Sequence, residues 1–218
     1  MFQMAVELRS LGTRELILDA TVELLSQQGE STIRIADVTD RTGVAISSIY
    51  HFYGSREGLV AAAQAERLAR SVLELLGLAG ELLGSAGTAE EFRVGLGDLH
   101  RLLCDPSMAP IRLARVNAIG STYGRPELAA QISRIGDDLC ARLAALLEPA
   151  QSRGWMRQDV KLEAVVAWTF GHFLGRTVIE LGDEPSPVGA DWDRLSLEAA
   201  GTVYFGDPTA LSTPGPSR

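Results

Sequence analysis

Apolar residues recur at spacings of three and four along almost the whole chain, and no stretch alternates apolar and polar positions as a half-buried strand would. The pattern predicts an all-α protein. Residues 14–28 place Ile17, Ala20, Leu24 and Leu25 on one side of a helix that Gly29 stops. Thr32 sits where an N-cap belongs, ahead of a short helix over 33–42 that Gly43 ends, and a second short helix over 47–53 closes at Gly54. Ser55 then caps a long helix from Arg56 to about Leu83, and the glycine-dense run 77–87 marks its frayed end. Thr88 and Glu91 have the spacing of a capping box that opens a helix over 89–104. Asp105-Pro106 pairs an N-cap with proline at the first helical position, opening a helix to about Tyr123, and Pro126 does the same for 127–148. Helices near 160–182 and 191–205 follow, and the tail over 207–218, with Pro208, Pro214 and Pro216, is expected to be disordered. The reading is a small unit of about three short helices over 1–60, joined to a larger helical bundle over 61–206.

Composition narrows the function classes. The chain has 218 residues, 46% hydrophobic and 22% charged, close to the globular average. Its longest weakly charged apolar run, 164–175, is broken by His172 and falls short of a bilayer core of roughly 30 Å. The opening MFQMAVELRS carries Glu7 and no apolar core of a signal peptide, so a cytoplasmic protein without a membrane partner is expected. Cys104 and Cys140 belong to no CxxC pair and read as buried free thiols. His100 and Cys104 lie four apart on one helix face, with Cys140 and His172 on other helices. That set would hold a soft metal only if it converged, and no two-ligand motif repeats, so a partly buried histidine with two core thiols is the reading. No metal and no cofactor are expected. No nucleophile–base pair, glycine-rich phosphate loop or Glu-x-x-His motif is present, so the chain is not read as an enzyme. Met108, Phe92, Trp155, Trp168, Phe170 and Phe173 read as ordinary core that could line a pocket, and Glu90-Glu91 and Asp137-Asp138 as solvated surface.

The net charge of −8 argues against a generally basic nucleic-acid coat but leaves room for a DNA reader, because binding depends on where the cations sit. The informative stretch is 32–59, TIRIADVTDRTGVAISSIYHFYGSREGL. Two short helices joined by a glycine-containing turn have the layout of a helix-turn-helix, whose second helix enters the major groove. On a helical wheel Ile46, Ile49 and Tyr53 fall together toward the first helix, with Tyr50 at the edge of that face. Ser47, Ser48 and His51 fall opposite, with Phe52 on the flank, giving a small polar surface able to meet base edges.

This segment resembles the DNA-binding domain of TetR-family transcriptional regulators. The matching residues are Thr32, Ile35, Ala36, Thr42-Gly43-Val44, Ile49-Tyr50-His51-Phe52-Tyr53, Ser55-Arg56-Glu57 and Leu59. The resemblance covers about the first 60 residues and implies a role for each matched position. Tyr50 and Arg56 would meet backbone phosphates, Ser47, Ser48 and His51 would face bases or nearby phosphates, and Thr32 and Arg34 would meet the backbone across the groove. Ile35, Ala36, Val38, Val44 and Ile49 are read as core. The chain departs from the family in Phe52-Tyr53, which reverses the usual order, and in Ser47-Ser48, which replaces Gly-Thr. Tyr53 thereby brings a hydroxyl near the core that needs a partner.

Near the C-terminus Ala164, Trp168, Gly171, Gly175, Val178 and Gly182 follow one helical stripe, with small residues that admit a second helix at close range. The resemblance implies a dimer interface there, and packing against 191–205 is the intramolecular alternative. The expectation is therefore a ligand-responsive repressor that binds a palindromic operator as a homodimer, with a small-molecule effector of unknown identity. An activator or accessory DNA-binding protein without an effector is the alternative, which absence of an enclosed C-terminal cavity would favour.

Overall fold

The computed structural model describes residues 2–182 and 186–211, with side chains from Gly12 onward. Among them are nine α-helices: α1 (Phe2–Gln27), α2 (Ile35–Thr42), α3 (Ile46–Tyr53), α4 (Arg56–Leu83), α5 (Ala89–Cys104), α6 (Ala109–Gly120), α7 (Pro126–Ser152), α8 (Leu162–Arg176) and α9 (Gly189–Phe205). The all-α expectation holds, with shifts at the ends. The first helix starts twelve residues before the predicted Arg14, at Phe2. Thr32 is not the N-cap of α2: it ends a 3-10 turn, Glu30–Thr32, and its hydroxyl donates to Gly29 O at 2.8 Å. Arg34 is the N-cap, its amide donating to the Asp37 carboxylate at 3.2 Å.

Two compact units divide the chain, Met1–Arg70 with Asn117–Ile135, and Ser71–Val116 with Gly136–Arg218. The first therefore takes in the end of α6 and the start of α7 as well as the N-terminal helices. Its core joins Ile17, Ile33, Val38, Ile49, Leu59 and Val60, each at most 1% exposed. A smaller cluster joins Ala65 of α4 to Ala118 of α6 and to Leu128 and Ile132 of α7. Glu30 ties the same elements together. Its carboxylate accepts from Gln64 Nε2 at 3.1 Å, from Arg125 Nη1 at 2.7 Å and from the Ser121 hydroxyl. These bonds outweigh the opposing effect of burial and hold the Glu30 carboxyl below its ordinary range.

The second unit is built around Phe92, Leu99, Val165, Phe173, Ala200 and Tyr204. Thr88 caps α5 as expected, accepting from Glu91 N at 3.2 Å, and Asp105 accepts from Ser107 N at 2.8 Å ahead of α6. Close packing explains two glycines. A Cβ on Gly95 would stand 2.4 Å from Leu82 O, and one on Gly201 would stand 2.5 Å from Asp207 O. That second contact belongs to the supposed tail. Residues 207–211 are ordered, Leu211 is 3% exposed in the core, and its carbonyl accepts from Arg101 Nη2 at 3.0 Å. The rest of the expected tail, 212–218, lies outside the described residues.

Candidate nucleic-acid interface

The helix-turn-helix is held by short-range backbone chemistry. Gly43 ends α2 at φ 68°, where a side chain would be strained, and its amide donates to Thr39 O at 2.8 Å. The Thr42 hydroxyl donates to Val38 O at 2.7 Å and accepts from Val44 N at 3.2 Å, which fixes the turn. Ala45 gives α3 no side-chain cap, so the first amides of α3 stay open. Such amides suit a phosphate. Ile49, fully buried, anchors α3 in the core.

Outward from that anchor, α3 presents Ser47 and His51 exposed, Tyr50 at 47% exposure and Ser48 half-buried. Thr32 and Arg34 are exposed just before α2. Among the described residues no carboxylate pairs with Arg34. Ile46, expected toward the first helix, is 52% exposed instead. Ala36, read as core, is also exposed. Phe52 packs half-buried against the first core, and the Tyr53 hydroxyl finds its partner in Arg14 O at 2.7 Å. Burial raises the Tyr53 phenol above its ordinary value, so it stays a donor.

Arg56 is placed differently from the other expected contacts. Its Nε donates to Ile33 O at 2.7 Å and its Nη2 to Glu30 O at 2.6 Å, while Nη1 meets the Glu57 carboxylate at 3.5 Å. Two of its three nitrogens thus hold the 3-10 turn that leads into α2.

These residues coincide with a family signature. The profile of the bacterial regulatory proteins of the tetR family matches residues 17–63, spanning the end of α1 through the start of α4. The chain is also 24% identical over 160 residues to the HTH-type transcriptional repressor KstR of Mycobacterium tuberculosis, covering 71% of this chain and 70% of that one. The DNA-binding region over 17–63 is thereby of the tetR-family kind. A KstR repressor from Rhodococcus jostii matches equally, at 24% over 158 residues, covering 71% and 72%. Among solved structures, a TetR-family transcriptional regulator from Cytophaga hutchinsonii superposes with a TM-score of 0.67 at 13% identity, covering 96% of this chain and 98% of that one. A TetR transcription regulator from Haloarcula marismortui gives 0.63 at 18%, covering 88% and 97%. The comparisons thus make the protein a DNA-binding transcriptional regulator, and no helix among the described residues is long and apolar enough to cross a membrane.

The second unit has its own candidate features. A cavity of about 50 Å³ lies among Leu75, Leu99, Leu143, Phe170, Phe173 and Tyr204, with Arg115 on its wall. Arg115 is not legible as a wall residue from the sequence. An arginine on a helix reads as a solvated residue, yet on α6 the pattern is inverted: Arg112 and Arg115 are 3% and 6% exposed while Leu113 and Ile119 are 44% and 46% exposed. Of the aromatic residues offered as possible pocket lining, Phe170 and Phe173 are on the wall.

The histidine and cysteine set is only partly gathered. His100 Nε2 and His172 Nε2 each lie 2.6 Å from Ser196 Oγ, and Cys104 Sγ lies 4.0 Å from it. Trp168 and Trp192 stack on His172 at 5.0 and 4.7 Å. Burial pushes His100 down to about 4 and the Cys104 thiol up to about 11, values suited to neutral packing groups. Among the described residues no group of three or more His, Cys, Asp or Glu side chains is gathered as a metal site.

The stripe on α8 is shorter than the sequence suggested. The helix ends at Arg176, so Val178 falls in a 3-10 turn, Thr177–Ile179, and Gly182 in the bend beyond it. Ala164, Gly171 and Gly175 are exposed, Trp168 is half-buried, and a Cβ on Gly171 or Gly175 would meet nothing within 4 Å. Packing of these glycines against α9 within one chain is therefore not the arrangement.

Proposed function

We propose that the protein is a ligand-responsive repressor acting as a homodimer on a palindromic operator. The reading rests most on α3, which buries Ile49 and turns Ser47, Tyr50 and His51 outward from a helix start with open amides. Tyr50 and the first amides of α3 serve phosphates. Ser47, Ser48 and His51 serve base edges, and exposed Ile46 adds an apolar surface for a thymine methyl group. Thr32 and Arg34 serve the backbone at the start of α2. Repression is the role named for both KstR relatives.

Dimerisation is supported by the exposed small residues of α8, where Ala164, Gly171 and Gly175 leave room for a partner helix. Two copies of α3 would then occupy major grooves roughly 34–36 Å apart. A small molecule in the second-unit cavity would favour a state whose spacing no longer fits both grooves, by as much as its affinity differs between the two states. The cavity weighs against the accessory-protein alternative, which needs none.

Titration of a full two-fold site and of a single half-site, with sedimentation of each complex, tests the assembly. One dimer on the full site, with much weaker half-site binding, is expected. Independent monomers on each half-site would overturn it.

A further inference from the structure

Among the described residues of the second unit three arginines are buried, Arg112, Arg115 and Arg176, and two of them have counter-charges. Glu180 takes Arg112 with both carboxylate oxygens and accepts from Arg176 Nε at 3.0 Å, while Arg176 also pairs with Asp193. Arg115 is 6% exposed, and among the described residues no carboxylate lies within ion-pairing distance of it. Among the described residues it makes two long hydrogen bonds, both to Ser71, Nε to Oγ at 3.5 Å and Nη2 to the carbonyl at 3.3 Å. Burial draws its guanidinium down to about 10, opposed only by the field of exposed Glu74. Its guanidinium carbon lies 5.5 Å from the centroid of the Phe170 ring, a contact that eases burial but neutralises no charge. A cation taken out of water without a counter-charge is costly, so a buried arginine facing a cavity calls for an anion.

The cavity wall defines that anion. Eight of its lining residues are leucines, and the other hydroxyl groups on it are already used. Thr169 Oγ1 donates to Val165 O at 2.9 Å, so the Tyr204 hydroxyl, 2.9 Å away, donates to Thr169. What remains is one cation in a hydrocarbon lining. A guanidinium fork matches a planar carboxylate, whereas a phosphate dianion would need further donors that this wall does not offer. A narrow space of about 50 Å³, walled by leucines that can change rotamer, suits a slim flexible chain better than fused rings. We propose that the cavity binds a linear aliphatic carboxylate, its head paired with Arg115 and its chain among the leucines. This rests on the reading of the second unit as an effector domain and names the effector's class.

The test uses the full-length protein with decanoate and decan-1-ol as probes. Binding is read by calorimetry and operator affinity is read separately. Decanoate is expected to bind roughly tenfold or more tightly than decanol. Arg115→Met should remove that preference, leaving decanol binding unchanged or improved, and Arg115→Lys should keep part of it. Should Arg115→Met fail to fold, the comparison of the two probes on the wild-type chain still decides. Equal affinity for acid and alcohol, or undiminished decanoate binding by folded Arg115→Met, would overturn the proposal. The same holds if decanoate stays unbound while a neutral or cationic compound binds and releases operator, an outcome that leaves the effector reading standing. Arg115-dependent decanoate binding with no change in operator affinity would uphold the ligand class and overturn the effector reading instead.

Discussion

At Arg56 the chain places a guanidinium whose position in the motif implies a phosphate contact but whose Nε and Nη2 are spent on Ile33 O and Glu30 O. The two roles differ measurably. Losing two charge-assisted hydrogen bonds to partly buried carbonyls costs about 2–4 kcal/mol, and lysine cannot replace a fork that spans both acceptors. Arg56→Ala and Arg56→Lys are therefore expected to lower thermal stability, and to weaken operator binding without changing its salt dependence. A salt slope shallower by about 2 per dimer in Arg56→Ala would instead show a direct phosphate contact. His100 gives a second prediction. Burial holds its folded-state value near 4, well below the ordinary 6.5. As pH falls below 6.5 the unfolded chain binds a proton that the folded chain refuses until about 4, so stability is lost through that window and is unaffected above it. The melting temperature should fall between pH 7.5 and 5.0. His100→Asn, although lowered at pH 7.5 by the changed contact with Ser196, should show a flatter pH dependence; an identical slope in both proteins would contradict the assignment.

Between elements, the glycines separate contacts within the chain from contacts the chain leaves open. Gly201 abuts the 207–211 turn, so Gly201→Ala should destabilise by about 1–3 kcal/mol in denaturant unfolding, since backbone must move to admit the methyl group. Gly175 faces open space, so Gly175→Leu should leave helix content and monomer stability near wild type while abolishing the dimer in sedimentation. A fully dimeric Gly175→Leu chain would place the interface elsewhere. The sequence pattern made the helices readable because caps and glycine stops act locally, as at Thr88 and Gly43. It misjudged the start of α2, where Arg34 rather than Thr32 is the N-cap, because a 3-10 turn intervenes. It extended α8 to Gly182 because small residues continued the spacing after the helix had ended at Arg176. It also missed the order of 207–211, since Leu211 is buried by contacts distant in sequence. The helix-turn-helix was legible as a motif, whereas the buried charge at Arg115 was not, because only the tertiary fold turns that side of α6 inward.

For the molecule as a whole, charge sets the terms of DNA binding. Residues 1–60 hold five arginines against eight carboxylates, a net −3. Within the folded first unit Arg41 pairs with Glu23 at 3.3 Å, Arg14 lies 5.9 Å from the Tyr53 ring and Arg56 is turned inward. Arg34 is then the principal exposed cation near the start of α2, two per dimer. Counterion release puts the slope of log affinity against log salt between about −2 and −4. A slope steeper than roughly −7 would bring basic residues outside the candidate surface into contact with DNA. The central claim is that α3 reads sequence, and selection of binding sites from random DNA tests it most directly. The wild-type chain should recover a two-fold symmetric motif with half-sites about one helical turn apart. Ser48→Ala and His51→Ala should each alter the preferred bases, while Tyr50→Phe should weaken binding with the motif preserved. Recovery of the unaltered wild-type motif by both the Ser48 and His51 variants, or of no motif by the wild-type chain, would contradict the account.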